Sequence, residues 1–350
     1  AVNQFAMAEC VVVPVDDIAG GYQYPPEVRF QVSEQNLDSY RRAADFLNFS
    51  NVDVVSLQHE FGIYGGQGGG HILAFLRDLR VPVVTTLHTV LATPDATQRR
   101  AMDQLAELST RLVVMTKRSR DMLRTVYKVP EDKIDLIVHG IPDRPWVDPD
   151  DCKDQFGVEG KHVGLTFGLL SPNKGIEHVL QALPDVIREV PDFVYLILGA
   201  THPSLVRTEG ERYRISLERM AKELGIQKHV IFYNRFVELD ELTEFIGAAD
   251  LYITPYLNAE QAVSGTLAYA FGCGQAVIST PYWHAEELLA DDRGVLVPFA
   301  DSAAIGRAII SFLKDDPRRQ AMRERAYKLG REMTWSHVAG LYVCLLYTSD

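Results

Sequence analysis

The stretch at residues 162–199, HVGLTFGLLSPNKGIEHVLQALPDVIREVPDFVYLILG, decides the class of fold. It begins and ends with apolar runs, HVGLTFGL at 162–169 and VYLILG at 194–199. Both runs are short and apolar on both faces, which is typical of strands in a parallel sheet that is covered by helices. The first run leads into a helix, so the stretch predicts a strand, a helix and a second, parallel strand.

The same alternation of apolar runs and amphipathic segments extends along the whole chain. Further predicted strands lie at 10–15, 52–58, 81–88, 111–116, 134–138, 229–233, 250–255, 275–280 and 294–298. Strands and helices that alternate this often predict an α/β protein with right-handed crossovers.

The series of strands pauses once, over residues 139–161, where three prolines and an acidic cluster occur. We interpret this segment as a linker between two doubly wound, Rossmann-like domains at residues 1–150 and 151–335. Residues 336–350 are expected to form a closing helix and a tail. The tail breaks the helical pattern from Cys344 and looks non-native. The chain begins with Ala1, so both ends look truncated and the first strand of the N-terminal domain is expected to be missing.

Composition limits the function classes. The chain has 350 residues, of which 47% are hydrophobic and 23% charged, as in an ordinary globular protein. The net charge is −12, which argues against a general nucleic-acid binder. No apolar run reaches the roughly 18 residues that a membrane span needs, and no signal peptide is recognised. The four cysteines lie far apart and suit neither a disulfide framework nor a zinc site, so a reduced, cytoplasmic location is expected.

Ligands of open α/β sheets bind outside the carboxyl ends of the strands, so residues that follow strands are the candidates for a site. Lys174 lies in a turn between a strand and a helix, a position that suits a phosphate. The sequence Ser264-Gly265-Thr266 opens another helix, where backbone amides can meet an anion. There is no dinucleotide-binding glycine motif, P-loop, zinc-protease motif or nucleophile elbow.

The ordered set of Lys174-Gly175, Cys273-Gly274, Glu286 and Gly294 resembles the retaining glycosyltransferases of family 4, over roughly residues 50–340. The resemblance implies the GT-B fold, in which two Rossmann-like domains face each other across a cleft. It also implies a C-terminal domain that binds a nucleotide-sugar and an N-terminal domain that binds the acceptor. The expected reaction moves a hexose from a UDP- or GDP-linked donor to a glycan or small-molecule acceptor, with retention, without a metal ion and without a cofactor.

The resemblance also implies roles for individual residues. The residues predicted to be catalytic are His88, Lys174 and Glu286. The predicted donor-binding residues are Gly168, Asn173, Arg235, Phe236, Tyr256, Gln261, Ser264, Gly265 and Thr266. The predicted acceptor-side residues are His59, Glu60 and His139. No metal ligands are predicted.

The chain departs from the family's pattern around the donor. Its string Gly168-Leu169-Leu170 lacks the family's arginine, for which Arg235 is a candidate replacement. Gln261 and Tyr269 stand where the family carries two glutamates. Two alternatives therefore stay open. One is a degenerate protein of this fold that binds a nucleotide or glycan without transfer, and the other is a phosphorylase that takes inorganic phosphate.

Two further features have ordinary interpretations. The basic residues between positions 117 and 128 predict a solvated helix face, with at most weak contact to an anionic membrane surface. The glycine-rich segment at residues 65–70 is expected to be a flexible turn rather than an anion cradle.

Overall fold

The computed structural model describes residues 9–348, and the chain divides into two compact units. One unit holds the residues up to His139 together with those from Ser336 onward, and the other is Gly140–Trp335. The division therefore falls before the proline-rich segment, which belongs to the second unit, and not at the predicted position 150.

The first unit is built on a parallel sheet. Its elements before the division are β1 (Val15–Asp16), β2 (Val32–Ser33), α1 (Leu37–Phe49), β3 (Val55–His59), α2 (Ile72–Asp78), β4 (Val83–Leu87), α3 (Ala96–Leu108), β5 (Arg111–Val114), α4 (Lys117–Thr125) and β6 (Ile134–Leu136). Strands β3, β4, β5 and β6 are neighbours in that order, and every pair is parallel. Strands β1 and β2 pair with each other in a separate parallel ladder.

The predicted strand at residues 10–15 is mostly wrong. Only Val15 and Asp16 form a strand, and Val12 makes an isolated bridge to Val28. The physical reason is Pro14, which has no N–H to donate and can only accept, here from the amide of Val32.

The second unit carries the more extended sheet. Its elements are β7 (His162–Phe167), α5 (Ile176–Glu189), β8 (Phe193–Leu198), α6 (Pro203–Glu209), α7 (Arg212–Glu223), β9 (Val230–Tyr233), α8 (Leu239–Ala248), β10 (Leu251–Thr254), α9 (Gly265–Gly272), β11 (Ala276–Ser279), α10 (Trp283–Leu288), β12 (Val295–Leu296), α11 (Ser302–Lys314) and α12 (Asp316–Gly330). Among the described residues the strand order is β12-β11-β10-β7-β8-β9, all parallel. The chain winds outward from β7 to β9, returns to β10 and winds out the other way, as predicted for a doubly wound domain.

Helices α5 and α11 cover this sheet with one apolar face each. On α5 the buried residues Val179, Leu183 and Val186 recur with helical spacing, and on α11 Ile305 and Ile309 do the same. Each such side chain contributes about 1.5–3 kcal/mol when fully buried. These side chains share one core cluster with sheet residues such as Ile253 and Ile278.

The beginning and end of the second unit are bonded to each other. The amide of Ile141 donates to the carbonyl of Met333, and the amide of Trp335 donates to the carbonyl of Ile141, both at 2.8 Å. Gly140 lies so close to the ring of Trp335 that a methyl group there would collide with it. The predicted linker is therefore an ordered part of the second unit.

The last described helix is α13 (Trp335–Tyr347), which from Ser336 onward belongs to the first unit. Val338 and Leu345 join a core cluster with residues of β4 and β5, and the hydroxyl of Tyr342 lies 2.9 Å from that of Thr86. The predicted break at Cys344 is wrong, because Leu345 falls on the same helix face as Val338 and is buried there. The last two residues of the predicted tail, 349–350, lie outside the described residues.

Within the described part of the chain, we find no helix with the length and apolar character required to cross a membrane.

Candidate functional site

The order of strands in the second unit reverses between β7 and β10, and this is where ligands of doubly wound sheets bind. Lys174 follows β7, and Tyr256 follows β10. The Nζ of Lys174 donates a hydrogen bond to the phenol oxygen of Tyr256 at 2.6 Å. A cation is thus fixed across the point where the strand order reverses.

Two glycines shape the backbone around Lys174. Gly175 has φ +61°, and a methyl group there would collide with the carbonyl oxygen of Pro255. The turn that carries Lys174 is therefore pressed against the end of β10. Gly168 has φ +122°, and a methyl group there would lie 3.1 Å from Thr266 Cγ2 and 3.9 Å from Lys174 Nζ. Glycine at this position leaves space beside the ammonium group.

Asn173 takes part through its backbone. Its carbonyl accepts a hydrogen bond from the amide of Leu257 at 2.9 Å, while the residue as a whole is exposed. This bond joins the Lys174 turn to the loop after β10. The predicted donor-binding role of the Asn173 side chain stays a prediction.

The N-terminus of α9 lies beside Lys174. Ser264 caps this helix, because its Oγ accepts from the amide of Leu267 at 3.3 Å. Gly265 is the first helical residue. The hydroxyl of Thr266 lies 2.8 Å from that of Tyr256 and 3.1 Å from that of Ser264. A helix N-terminus and a nearby ammonium group both favour a negative charge, so this arrangement suits a phosphate or diphosphate.

Tyr256 lies beneath these groups, with only 2% of its surface exposed. Its ring stacks on Tyr282 with centroids 5.2 Å apart. Burial raises the pKa of Tyr256, but the Lys174 ammonium and the hydrogen bonds with Lys174, Thr266 and Ser264 lower it, and the net direction is downward. Its hydroxyl is therefore engaged with protein groups, and the predicted donor-binding role of Tyr256 stays a prediction.

Two further predicted residues, the donor-binding Gln261 and the catalytic Glu286, lie in the loop after β10 and in α10. Gln261 turns its side-chain amide back to donate to the carbonyl of Val263 at 2.7 Å. Glu286 is exposed in the first turn of α10. The structure brings Gln261 close to the start of α9, and it leaves Glu286 on the surface of its own short helix.

Arg235 and Phe236 are not brought together with Lys174. Both follow β9, which is the edge strand and lies two strands away from β7. The guanidinium group of Arg235 makes two hydrogen bonds to the carboxylate of Glu241, one of them at 2.8 Å. Phe236 is 76% exposed. Arg235 therefore lies two strands from Lys174 with its charge paired to Glu241, and its role as a replacement for the missing arginine stays a prediction.

A second group of predicted residues lies at the carboxyl ends of β3 and β4 in the first unit. The amide of His88 donates to the carbonyl of His59 at 3.0 Å, and His88 Nε2 lies 2.9 Å from the side-chain oxygen of Gln58. The hydroxyl of Thr89 donates to Glu60 Oε2 at 2.6 Å. The structure thus brings His59, Glu60 and His88 together, as expected for neighbouring parallel strands.

Burial changes the titration of both histidines. His59 is 1% exposed and packs against the rings of Phe61 and Tyr64. Burial, with a smaller contribution from His88, lowers the pKa of His59 from 6.5 to about 4. Burial also lowers the pKa of His88, although Glu60 opposes this shift. Both rings are therefore neutral near pH 7.

His139 lies apart from this group. It follows β6, and β6 is separated from β4 by β5 in the sheet. The structure does not bring His139 together with His88, because the predicted strand that precedes His139 pairs at the far edge of the sheet. Its predicted acceptor-side role has no geometric support from the first unit.

The glycine-rich segment is tightly packed. The amide of Gly65 donates to the hydroxyl of Tyr40 at 3.1 Å, and a methyl group on Gly65 would collide with the carbonyl oxygen of Glu34. These glycines allow close packing against α1 and the strand before it. The segment is thus a packing element rather than a flexible turn.

Comparison with known proteins decides the family. The model of the family described as "Glycosyl transferases group 1" matches residues 150–329, more than half of the chain. The chain belongs to the glycosyl transferases group 1 family. A second model, "Glycosyltransferase Family 4", matches residues 14–144. The predicted resemblance and the GT-B fold class are confirmed.

Curated relatives of this group 1 member include two bacterial enzymes. A GDP-mannose-dependent alpha-(1-6)-phosphatidylinositol monomannoside mannosyltransferase of Mycolicibacterium smegmatis is 31% identical over 189 residues, which are 51% of this chain and 47% of the relative. A D-inositol 3-phosphate glycosyltransferase of Corynebacterium kroppenstedtii is 28% identical over 329 residues, 85% of this chain and 69% of the relative. The chain spans about half the length of the first and about two thirds of the second.

Solved structures show the same fold. HepE of Anabaena in complex with UDP matches with a TM-score of 0.72 at 16% identity, over 91% of this chain and 85% of that one. The sucrose-phosphate synthase of Thermosynechococcus elongatus matches with a TM-score of 0.71 at 17% identity, over 94% and 83%. At these identities the likeness concerns the fold alone.

Sequence reasoning did not assign a role to His284, which this group 1 glycosyl transferase uses to hold the start of α9. His284 is buried, and its Nδ1 accepts the amide hydrogen of Ser264 at 2.8 Å. The ring must therefore carry its hydrogen on Nε2 when neutral. Nothing local in the sequence signals this contact, because the two residues meet through the packing of α10 on the loop before α9.

Among residues 9–348 no group of three or more histidine, cysteine or acidic side chains is arranged to hold a metal ion.

Proposed function

We propose that this chain transfers a hexose from a UDP- or GDP-linked sugar to a glycan or small-molecule acceptor, with retention of configuration and without a metal ion. One observation carries the proposal. The ammonium of Lys174 is fixed at the reversal of strand order, beside the N-terminus of α9. Membership of the glycosyl transferases group 1 family supports the same conclusion.

The chemistry needs a positive site for the leaving group. As the bond between the sugar and the diphosphate breaks, negative charge grows on the leaving phosphate oxygen. Lys174 and the first amides of α9 would stabilise that charge through hydrogen bonds and the helix dipole. Removal of one such electrostatic donor commonly raises a barrier by about 2.7–4 kcal/mol. Glu286 and the Gln261 loop would then border the sugar.

The acceptor would bind at His88 in the first unit. Gln58 Oε1 can only accept, so the neutral ring of His88 carries its hydrogen on Nε2 and leaves Nδ1 as an acceptor. A basic nitrogen next to the carboxylate of Glu60 suits the hydroxyl group of an acceptor sugar. His59 would act only as buried support beneath this group.

Two of the similar proteins support the choice of UDP or GDP as the donor nucleotide. The mannosyltransferase of Mycolicibacterium smegmatis is named for its dependence on GDP-mannose, and HepE of Anabaena was solved with UDP and with UDP-glucose. We propose UDP or GDP as the leaving group.

A panel of nucleotides tests the proposal. The protein is melted with UDP, GDP, ADP, dTDP and CDP, with inorganic phosphate as the control, and nucleotide release is then followed with the sugar donor that matches the best binder. At a concentration of about 100 times its Kd a ligand adds about 2.7 kcal/mol of stability. Stabilisation by one nucleotide, followed by release of that nucleotide, supports transfer. Binding without release from any donor supports a protein that only binds, and stabilisation by phosphate alone supports a phosphorylase.

A further inference from the structure

A line of hydroxyl groups joins Lys174 to the start of α9. The Nζ of Lys174 lies 2.6 Å from the Tyr256 hydroxyl, which lies 2.8 Å from the Thr266 hydroxyl. The Thr266 hydroxyl lies 3.1 Å from that of Ser264. All these contacts are made inside the second unit by residues that follow β7 and β10.

The directions of the hydrogen bonds at the two ends of this line are fixed. An ammonium group can only donate, so the Tyr256 oxygen accepts from Lys174. At the other end the oxygen of Ser264 accepts the amide hydrogen of Leu267. In the two contacts of Thr266 between these ends, either hydroxyl can be the donor. Hydrogen bonds connected in this way are cooperative.

We propose that Tyr256 is a positioning residue, whose buried phenol oxygen holds the Lys174 ammonium at the reversal of strand order and does not itself contact the donor sugar. The proposal rests on the proposed function, because it assumes that Lys174 meets the leaving diphosphate.

Tyr256 is well suited to this task because it is held on every side. Its ring stacks on Tyr282, and its backbone carbonyl accepts from the Thr280 hydroxyl at 2.5 Å. The neighbouring carbonyl of Pro255 is in contact with Gly175, next to Lys174 in the chain. A lysine has a flexible four-carbon stem, so an anchor at its tip arranges the charge before the ligand arrives.

The test compares two buried tyrosines, of which Tyr256 bonds the Lys174 ammonium. Tyr282 is as buried as Tyr256 and stacks on it, but its hydroxyl pairs with Thr254 at 3.2 Å and also bonds Ser264 and Ser279. Tyr256→Phe and Tyr282→Phe each remove one buried phenol oxygen. Release of UDP from UDP-glucose and of GDP from GDP-mannose gives kcat and KM, with water as the acceptor if no other is known. Calorimetry with UDP and GDP gives Kd.

We expect Tyr256→Phe to lower kcat by about 10- to 100-fold, since a misplacement of about 1 Å can cost that much, and to change Kd for the nucleotide by less than about threefold. Tyr282→Phe should lower kcat far less, because its hydroxyl bonds Thr254, Ser264 and Ser279 rather than the Lys174 ammonium. Thr266→Val, which removes the next hydroxyl in the line, should lower kcat by a smaller factor. Melting curves with bound nucleotide check that each variant is folded.

An unchanged kcat in Tyr256→Phe would overturn the proposal, and so would an equal fall in Tyr282→Phe. These results are separate from a failure of the proposed function. If Lys174→Ala turns over normally, the assignment of Lys174 to the leaving group fails. If Lys174→Ala is inactive while Tyr256→Phe is normal, only the positioning role fails.

Discussion

The ammonium of Lys153 lies 3.0 Å from the carboxylate of Asp250, and both side chains are almost fully buried, with 3% and 6% exposed. Asp250 also accepts the amide hydrogen of Val163 at 2.7 Å, at the start of β7. Lys153 makes a second ion pair, with Asp150 at 2.6 Å. These contacts tie the segment before the sheet to its central strands, at the amino end opposite the Lys174 site.

The buried pair should matter for stability and not for chemistry. We expect Asp250→Asn to lower the free energy of unfolding by about 3 kcal/mol, because the change leaves Lys153 buried with only the exposed partner Asp150. Urea unfolding measures this loss. Asp185→Asn, which breaks the exposed pair with Arg188, is the control and should have little effect. A small and equal effect of both changes would contradict the expectation.

Lys174→Ala should lower kcat by about 100- to 1000-fold, since it removes the one side-chain cation fixed at the reversal of strand order in the second unit as described. Steady-state release of the nucleotide found in the binding panel measures the loss. Lys228→Ala removes an exposed lysine at the amino end of β9 and should leave kcat unchanged. Comparable activity in both variants would argue against the donor site.

Two glycines allow the effect of a positive φ on stability to be measured separately from the effect of a steric collision. Gly175 and Gly157 have nearly equal φ angles, +61° and +65°. A methyl group would collide with Pro255 at Gly175, whereas nothing lies within 4 Å at Gly157. We expect Gly157→Ala to cost about 1–2 kcal/mol from backbone strain alone. Gly175→Ala should lower the free energy of unfolding by more than this, which melting curves will measure. It should also lower kcat by displacing Lys174, which kinetics of nucleotide release will measure. Equal stability losses would mean that the contact with Pro255 relaxes freely.

The fold could be predicted because each strand is a local signal. Runs such as 162–169 and 250–255 are predominantly apolar on both faces, a pattern that is typical of buried parallel strands. The run at 10–15 was wrongly predicted to be a strand because Pro14 lacks the backbone N–H that a strand needs. An apolar pattern alone does not show this.

The site was predicted in part. Lys174, Ser264 and Thr266 could be found because a turn and a helix cap are local features. His284 and the buried position of Tyr256 could not, since both depend on which loops pack together. The pairing of Arg235 with Glu241, six residues further along, could not be predicted either, because it has no sequence signature that distinguishes it from a free arginine.

Arg235→Ala should leave the Kd for the nucleotide and the kcat unchanged within about twofold. Its charge is paired with Glu241 at an exposed position, where such ion pairs contribute little to stability. The pair follows β9, which lies two strands away from β7 and the Lys174 turn. Calorimetry and nucleotide release measure the outcome. A large rise in Kd would support Arg235 as the replacement for the missing arginine.

The buried ring of His59 should make the protein sensitive to mild acid. The unfolded chain binds a proton at His59 below pH 6.5, whereas the folded chain does not until about pH 4. Between these values the unfolded state binds more protons, so the free energy of unfolding falls as the pH is lowered, by up to about 3 kcal/mol from this residue. Stability that is present above pH 6.5 is thus lost by about pH 4.

His59→Phe places a ring of similar shape between Phe61 and Tyr64 and should reduce this part of the pH dependence. Urea unfolding between pH 4.5 and 7.5 will measure the change. The same change at the exposed His337 is the control, and equal pH profiles for the two variants would mean that His59 is not the residue responsible.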